Sequence, residues 1–460
     1  MSGARRVPLL YCLVFVSGVA ALMFEILWIR GLGLQFGTTS SAIATVLAAF
    51  MAGLALGNLF LGPRADLHPE PLRLVRRIEV GIGLSGLAVS LLLLRGDGLL
   101  AWIASGLAHA GALRTPLRFA VFCALLLLPA TLMGGTLPVL ARALVRGGVA
   151  GRTMGTLYAL NTAGAVVGAL LPDLLLIPAV GLTATACIAA AGNLSVAAGV
   201  GLVQLDAIPA AAPSARAPLP RLPLALFAVS GFCAMGYEVL WSRVHHHWSM
   251  GQASSFAVLL AVFLVCLAVG SWLAAPLADR SARPLVPAAA LLAATGPAAF
   301  APILIADRWA EAFNRLLPSI RGVHRAAPGD ALALAFANSV FLEAGACLLM
   351  GAAFPFLAAA VVGERDAGRA TGGLYAANTL AGVAGSVLTG FVLLPMLGVQ
   401  RALVLLTSLS LLLGLAALVS LRPVGRRLAV GMGALALGFF AASASLPADH
   451  LRAAYVARFH

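Results

Sequence analysis

The sequence predicts an all-α integral membrane protein built of two six-helix repeats with an additional C-terminal helix. Three observations predict it. Charged residues make up 10% of the 460 residues, 61% are hydrophobic, and the mean hydropathy is +1.01, whereas a soluble domain carries about 25% charge. Apolar runs of about 20 residues, the length that crosses a bilayer as a helix, recur along most of the chain, twice the length of a barrel strand. Helices are the expected spanning form, because lipid cannot hydrogen-bond a bare backbone. The first half of the sequence is also written again, with changes, in the second.

The runs fall at 8–30, 40–62, 76–95, 117–141, 153–177 and 181–204, and again at 222–243, 252–275, 285–305, 331–361, 370–395 and 398–421. A thirteenth, 428–446, is long enough to cross once more. The stretch from Gln204 to Arg221 is rich in Ala and Pro and poor in large apolar residues, which reads as a linker. The expected organisation is a first repeat over 1–204, a cytoplasmic linker over 205–221, a second repeat over 222–421, and an extra helix and tail over 422–460. The first run starts at Val7, is longer than a signal-peptide core and is followed by no A-x-A-like site, so it reads as the first membrane helix.

Every basic residue is arginine, and the formal charge is +14. The absence of lysine excludes Schiff-base chemistry in this chain. The arginines are scattered and not massed on one helix or arm, which speaks against nucleic-acid binding. With the N-terminus in the cytoplasm, 18 of the 30 basic residues fall on cytoplasmic segments, and the short outer loops hold almost none. The positive-inside rule therefore predicts a multi-pass protein of the inner (plasma) membrane with a cytoplasmic N-terminus. The six cysteines lie inside apolar runs without a CxxC or Cys/His pattern, as small buried hydrophobes do.

The repeat is legible residue by residue. Glu25 and Glu238, Phe50 and Phe263, Gly57 and Gly270, and Asp66 and Asp279 are each 213 apart. Further on the spacing is 217, for Met133-Gly134 and Met350-Gly351, Pro138 and Pro355, Tyr158 and Tyr375, Asn161 and Asn378, and Gly181 and Gly398. Two parallel six-helix repeats about an axis along the membrane normal are the arrangement of major-facilitator transporters. Gly62-x-x-x-Asp66, at the end of the second run, resembles the loop motif of that superfamily. Its repeat copy is Ala275-x-x-x-Asp279-Arg280. An acid at a helix end can dock a neighbouring helix N-terminus or an arginine and so latch one conformation. Asp66, Asp279 and Arg280 are the latch candidates.

The substrate- or proton-binding candidates are acids inside apolar runs and the aromatics beside them. Such acids are costly in lipid and should face the bundle interior with a partner. Glu25 and Glu238 each precede a tryptophan by three residues, Trp28 and Trp241, on the same helical face. A carboxylate beside an aromatic suits a proton or an amine cation. The competing reading is a structural pair with Arg30 or Arg243, and repeat symmetry favours scaffold. Asp173 and Glu343 break that symmetry, since their counterparts are Gly390 and Leu126. Tyr158, Asn161, Tyr375 and Asn378 enter the fifth and eleventh runs as polar packing residues, and Gly164-x-x-x-Gly168 and Ala381-x-x-x-Gly385 allow close helix approach. His245-His246-His247 point about 100° apart on a helix and cannot converge on one ion, so no metal is expected. Neither a Walker motif, a GxGxxG after a strand, a GxSxG nor an HExxH occurs, and no cofactor is expected.

The run Ser17-Gly-Val-Ala-Ala-Leu-Met-Phe-Glu-Ile-Leu-Trp-Ile-Arg30, the run Val46 to Gly57, and the stretches Leu132-Met-Gly-Gly-Thr-Leu-Pro138 and Leu157-Tyr-Ala-Leu-Asn-Thr-Ala-Gly164 resemble the membrane portion of fused major-facilitator/spermidine synthase proteins. The resemblance covers roughly 8–455. Full-length members of that family continue into a soluble aminopropyltransferase domain, and this chain stops at about the point where that domain would begin, so no catalytic residue is carried over. The implied protein is not an enzyme on its own. The leading expectation is a transporter-like protein for a small amine or other metabolite in the lipid bilayer. The rival is a membrane anchor or partner of a separately encoded spermidine synthase-like enzyme.

Overall fold

A computed structural model of the chain describes residues 6–36, 39–96, 114–145, 149–203, 218–248, 255–316, 328–362, 366–421, 424–447 and 450. Most of the expected linker and the end of the expected tail lie outside the described residues, as do the side chains of His246 and His247. The first half comprises α1 (Arg6–Phe36), α2 (Thr39–Leu67), α3 (Pro71–Arg95), α4 (Arg114–Leu144), α5 (Ala150–Leu171) and α6 (Ile177–Gly201). The second comprises α7 (Arg221–Trp248), α8 (Ser255–Arg280), α9 (Leu285–Leu304), a short α10 (Ala306–Leu316), α11 (Pro328–Val361), α12 (Ala367–Leu388) and α13 (Leu394–Ser420). An extra helix follows, α14 (Val424–Ser445). No strand occurs among the described residues.

The repeat extends to details of backbone geometry. A π-helical turn, Pro172–Leu176, joins α5 to α6, and its counterpart, Thr389–Leu393, joins α12 to α13. Ala150–Gly201 and Ala367–Ser420 are continuous apolar stretches of 52 and 54 residues, too long for one crossing. Each is broken by a left-handed glycine, Gly181 (φ 79°) and Gly398 (φ 73°). A side chain there would meet no neighbouring atom, so glycine is required by the backbone conformation and not by space. Prolines lie inside α2 at Pro63 and α8 at Pro276, and inside α4 at Pro138 and α11 at Pro355, so sites that lack a helical N–H recur at equivalent places.

The chain divides into two compact units. One is Met1–Pro220 with Val361–Leu380; the other is Arg221–Ala360 with Ala381–His460. Within the first, α2 packs on α4, α1 on α5 and α6, and α3 on α4 and α6. Glycine makes these approaches possible. A Cβ on Gly57 would run into the Thr131 carbonyl, and one on Gly164 or Gly168 into the Phe15 or Val19 carbonyl. Within the second unit, α13 packs on α7, α9 and α14. Gly270 and Gly351 bring α8 and α11 together against the Leu348 and Leu267 carbonyls. Close backbone approach replaces the hydrophobic driving force that helices in lipid lack. The amphipathic α10 is fixed to α11 by Trp309, whose Nε1 donates to Asn338 Oδ1 at 3.0 Å and whose ring stacks on Phe341 at 4.3 Å.

Candidate functional site

In the first unit, Asp66 sits beyond the apolar part of α2 and is fully buried. Its two carboxylate oxygens accept the backbone N–H groups of Gly368 and Arg369, each at 2.9 Å. These are first-turn donors of α12, where the helix dipole also favours an anion. The buried Arg142 guanidinium from α4 lies 4.0 Å away. Burial pushes the Asp66 carboxyl above its ordinary range, and the two backbone donors and Arg142 act to lower it. Gly62 comes so close to Gly368 that neither position has room for a side chain. Gly62-x-x-x-Asp66 is thus a docking surface for the start of α12. In its copy, Asp279 is half-buried and has a partner, and Arg280 is exposed at the end of α8.

The other first-unit candidates divide between core and surface. Glu25 is buried at 7% exposure and engaged with a neighbour. Trp28 is fully buried, stacks on Phe24, and donates Nε1 to Ser90 Oγ at 3.1 Å. Arg30 clamps Asp173 with two hydrogen bonds, 3.0 and 3.3 Å. Asp173 is therefore not an interior acid awaiting a ligand. It lies in the π-helical turn, a third exposed, and its arginine is more than half exposed. Tyr158 and Tyr375 meet ring to ring at 6.1 Å. Asn161 and Asn378 are half-buried, and Asn378 has a partner. The backbone carbonyl of Asn161 occupies the space where Gly18 would carry a side chain.

Sequence reasoning passed over Glu79. It is completely buried in α3, with Oε1 accepting from Ser17 Oγ at 2.7 Å and Oε2 without a protein partner. The signal was present as an acid inside an apolar run. It was masked by Arg76 and Arg77, which give the start of α3 the look of a loop. Arg142 was likewise read as one more cytoplasmic charge.

In the second unit, unsatisfied polar atoms gather on α7 and α11, at Trp241, Asn338, Ser339 and Glu343. Glu343 of α11 is fully buried, and neither carboxylate oxygen has a protein hydrogen-bond partner. The helices α7 and α11 touch at both ends. His245 Nε2 lies 3.0 Å from the Ala335 carbonyl, and Phe227 meets Phe354 at 5.4 Å. In that antiparallel register Glu238 falls level with Glu343. No basic side chain forms an ion pair with either glutamate among the described residues. Trp241, three residues past Glu238, is fully buried and stacked on Tyr237 at 5.3 Å, and its indole N–H has no protein partner. Among the described residues no group of three or more His, Cys, Asp or Glu is arranged to hold a metal ion.

The two repeats, with a π-turn and a left-handed glycine in each, form one all-helical membrane architecture among the described residues. The solved structures agree. The human organic anion transporter MFSD10 superposes with TM-score 0.59 at 16% identity, covering 91% of this chain and 100% of that one. A bacterial homologue of the iron transporter ferroportin, in its outward-facing state, gives 0.56 at 14% identity over 93% and 99%. The E. coli major facilitator superfamily transporter FucP, in the outward conformation, gives 0.53 at 14% identity over 89% and 98%. No protein-family model and no curated protein matches the sequence. The likeness is one of fold, that of a multi-pass membrane protein.

Proposed function

We propose that this protein is a cation-coupled secondary transporter whose coupling site is the Glu238–Glu343 pair, and that its cargo is a small amine. The carrying observation is Glu343, wholly buried with both oxygens unpartnered and level with a second glutamate. Two carboxyls facing each other in an apolar interior cannot both ionise without a cation between or beside them. The cation is a proton in one state and the amine in another. The fold does not choose the cargo, since its solved neighbours are described as carriers of organic anions and of iron, and as a fucose:proton symporter. An organic anion would meet two carboxyls here with no arginine beside them, which favours a cationic cargo. The distribution of arginine supports a cytoplasmic N-terminus in the inner membrane, and the Ala/Pro-rich stretch supports a repeat boundary over 205–221. Asp66 on the α12 N-terminus acts as the conformational latch.

The test is uptake of radiolabelled putrescine by the purified chain in proteoliposomes under an imposed pH gradient. Wild type should accumulate the amine, and Glu343→Gln should not. A second reading is supported by the sequence resemblance: an anchor for a separately encoded aminopropyltransferase. It requires no uptake under any gradient and a stoichiometric complex with such an enzyme when the two are co-expressed. Transport by the chain alone, with no enzyme bound, excludes it.

A further inference from the structure

A second polar centre lies in the first unit. Glu79 of α3 is completely buried; its Oε1 accepts from Ser17 Oγ of α1 at 2.7 Å, and its Oε2 has no protein partner. Asn193 of α6 is also completely buried. Its Nδ2 donates to the Ala189 carbonyl at 3.3 Å, which leaves Oδ1 as the atom without a partner. The helices bring these residues to one level. Along α1 and α3, Ser17 meets Glu79, Phe24 meets Gly86 and Trp28 meets Ser90, each pair 62 apart. α6 crosses both helices there. A Cβ on Gly83, one turn past Glu79, would stand 3.3 Å from Asn193 Cβ, and one on Gly192 would stand 3.4 Å from Ala20 Cβ.

The second repeat shows the same convergence. At the repeat spacings of 213 and 217, Ser17, Glu79 and Asn193 correspond to Ser230, Leu292 and Ser410, and those three line one small cavity. Gly296 meets Ser410 and Thr407 as Gly83 meets Asn193 and Ala190, so the equivalence holds in the packing as well as in the letters. The second repeat has leucine where the first has the acid. With Glu79 ionised, Oε2 and Asn193 Oδ1 are both acceptors, and neither can satisfy the other. The carboxylate would also be a buried charge with a single donor. Among the described residues no basic side chain forms an ion pair with it, and such a charge is strongly destabilising in a membrane interior. A proton on Oε2 removes the charge and turns one of the two acceptors into a donor. It needs no cavity.

We propose that Ser17, Glu79 and Asn193 form a proton-binding site of the first unit, in which Glu79 is a neutral carboxyl with its proton on Oε2 and Asn193 Oδ1 as the acceptor. Ser17 keeps its own hydrogen and holds Oε1. Release of the proton leaves a carboxylate, and the bond from Ser17 remains. The site is separate from the Glu238–Glu343 pair, which belongs to the other unit. Few charged or titratable groups surround it. On α3, Arg76 and Arg77 are exposed. On α1, Tyr11 is nearly two turns before Ser17 and Glu25 more than two turns beyond it. α6 carries no charged residue, and on α4 the buried Arg142 stands at Asp66. Arg76, whose guanidinium lies beside Gly201 at the end of α6, is only about 4.5 Å of helix rise from Glu79. The site is therefore close to the charged end of the unit.

The probe is the proton itself. The purified chain in nanodiscs is titrated with base at equilibrium. Infrared spectroscopy follows the protonated-carboxyl band, and a pH-indicator dye counts the protons released. At neutral pH Glu79→Gln should lack one component of the band that wild type shows, and over the titration it should release one proton fewer per chain. Glu343→Gln should keep that component, which separates this site from the acid pair of the second unit. Ser17→Ala keeps the acid and removes the donor to Oε1, so it should move the component to higher frequency, and Asn193→Ala should do the same by removing the acceptor. The serine variant decides the matter by itself if Glu79→Gln does not fold. A band and proton count in Glu79→Gln identical to wild type, or a band that Ser17→Ala does not move, overturns the site. Loss of the component on adding sodium at constant pH also overturns it, since the occupant would then be a metal ion.

Discussion

Trp28 and Trp241 occupy equivalent places in the two repeats, yet only Trp28 has found a partner, in Ser90. Trp28→Phe should lower stability by about 1 kcal/mol, the net worth of one hydrogen bond, while Trp241→Phe, which removes an unsatisfied donor, should cost less. Thermal melts of the detergent-solubilised chain measure both. Asp66 belongs at the other extreme. Asp66→Ala strands two first-turn N–H groups and leaves Arg142 buried without its counter-charge, at a cost of roughly 3 kcal/mol, and the same melts check it. How far these residues were legible depends on their surroundings. Glu25, Glu238 and Glu343 stood out because nothing charged adjoins them within their apolar runs. Glu79 did not, because Arg76 and Arg77 precede it. The pairing of Arg30 with Asp173 was not legible at all. It depends on where the π-turn sets down Asp173, and partners so far apart in sequence are chosen by packing.

At the scale of elements, the length of the apolar runs carried most of the information. The apolar runs match the long helices, and Pro138 and Pro355 were visible as repeated letters that fall inside α4 and α11. The π-turns had no sequence signal, since one extra residue in a turn leaves the hydropathy of a wholly apolar run unchanged. Gly181 and Gly398 were visible as repeated letters, but only the backbone shows that they are left-handed. Gly181→Ala or Gly398→Ala should therefore destabilise by roughly 1–2 kcal/mol through backbone strain alone, despite the open space around each. Gly57→Leu is a different kind of change, because the Thr131 carbonyl stands where the side chain must go. The expected order of melting temperatures is wild type, then the alanine variants, then Gly57→Leu, and an alanine variant that melts below Gly57→Leu would contradict it.

The whole molecule sets a symmetric scaffold against asymmetric chemistry. Glycines, prolines and π-turns recur, as parts that hold two repeats in one architecture should. Glu343 does not recur: its counterpart in the first repeat is Leu126, which is itself buried. A scaffold residue and a functional residue respond oppositely to substitution, and this pair separates the two. If Glu343 is kept for cation coupling, it is held against the stability of the fold, as strained or unsatisfied groups at working sites are. Glu343→Leu removes two unpartnered oxygens and restores what the first repeat has. It should raise stability by about 1 kcal/mol and abolish amine accumulation driven by a pH gradient. The reciprocal change, Leu126→Glu, places a carboxyl at a fully buried apolar position, and should cost on the order of 3 kcal/mol without adding transport. Melting temperature and putrescine uptake, read on both variants, decide the matter. A Glu343→Leu protein that melts lower than wild type would assign Glu343 to the scaffold, and the coupling site would then have to be sought elsewhere in the second unit.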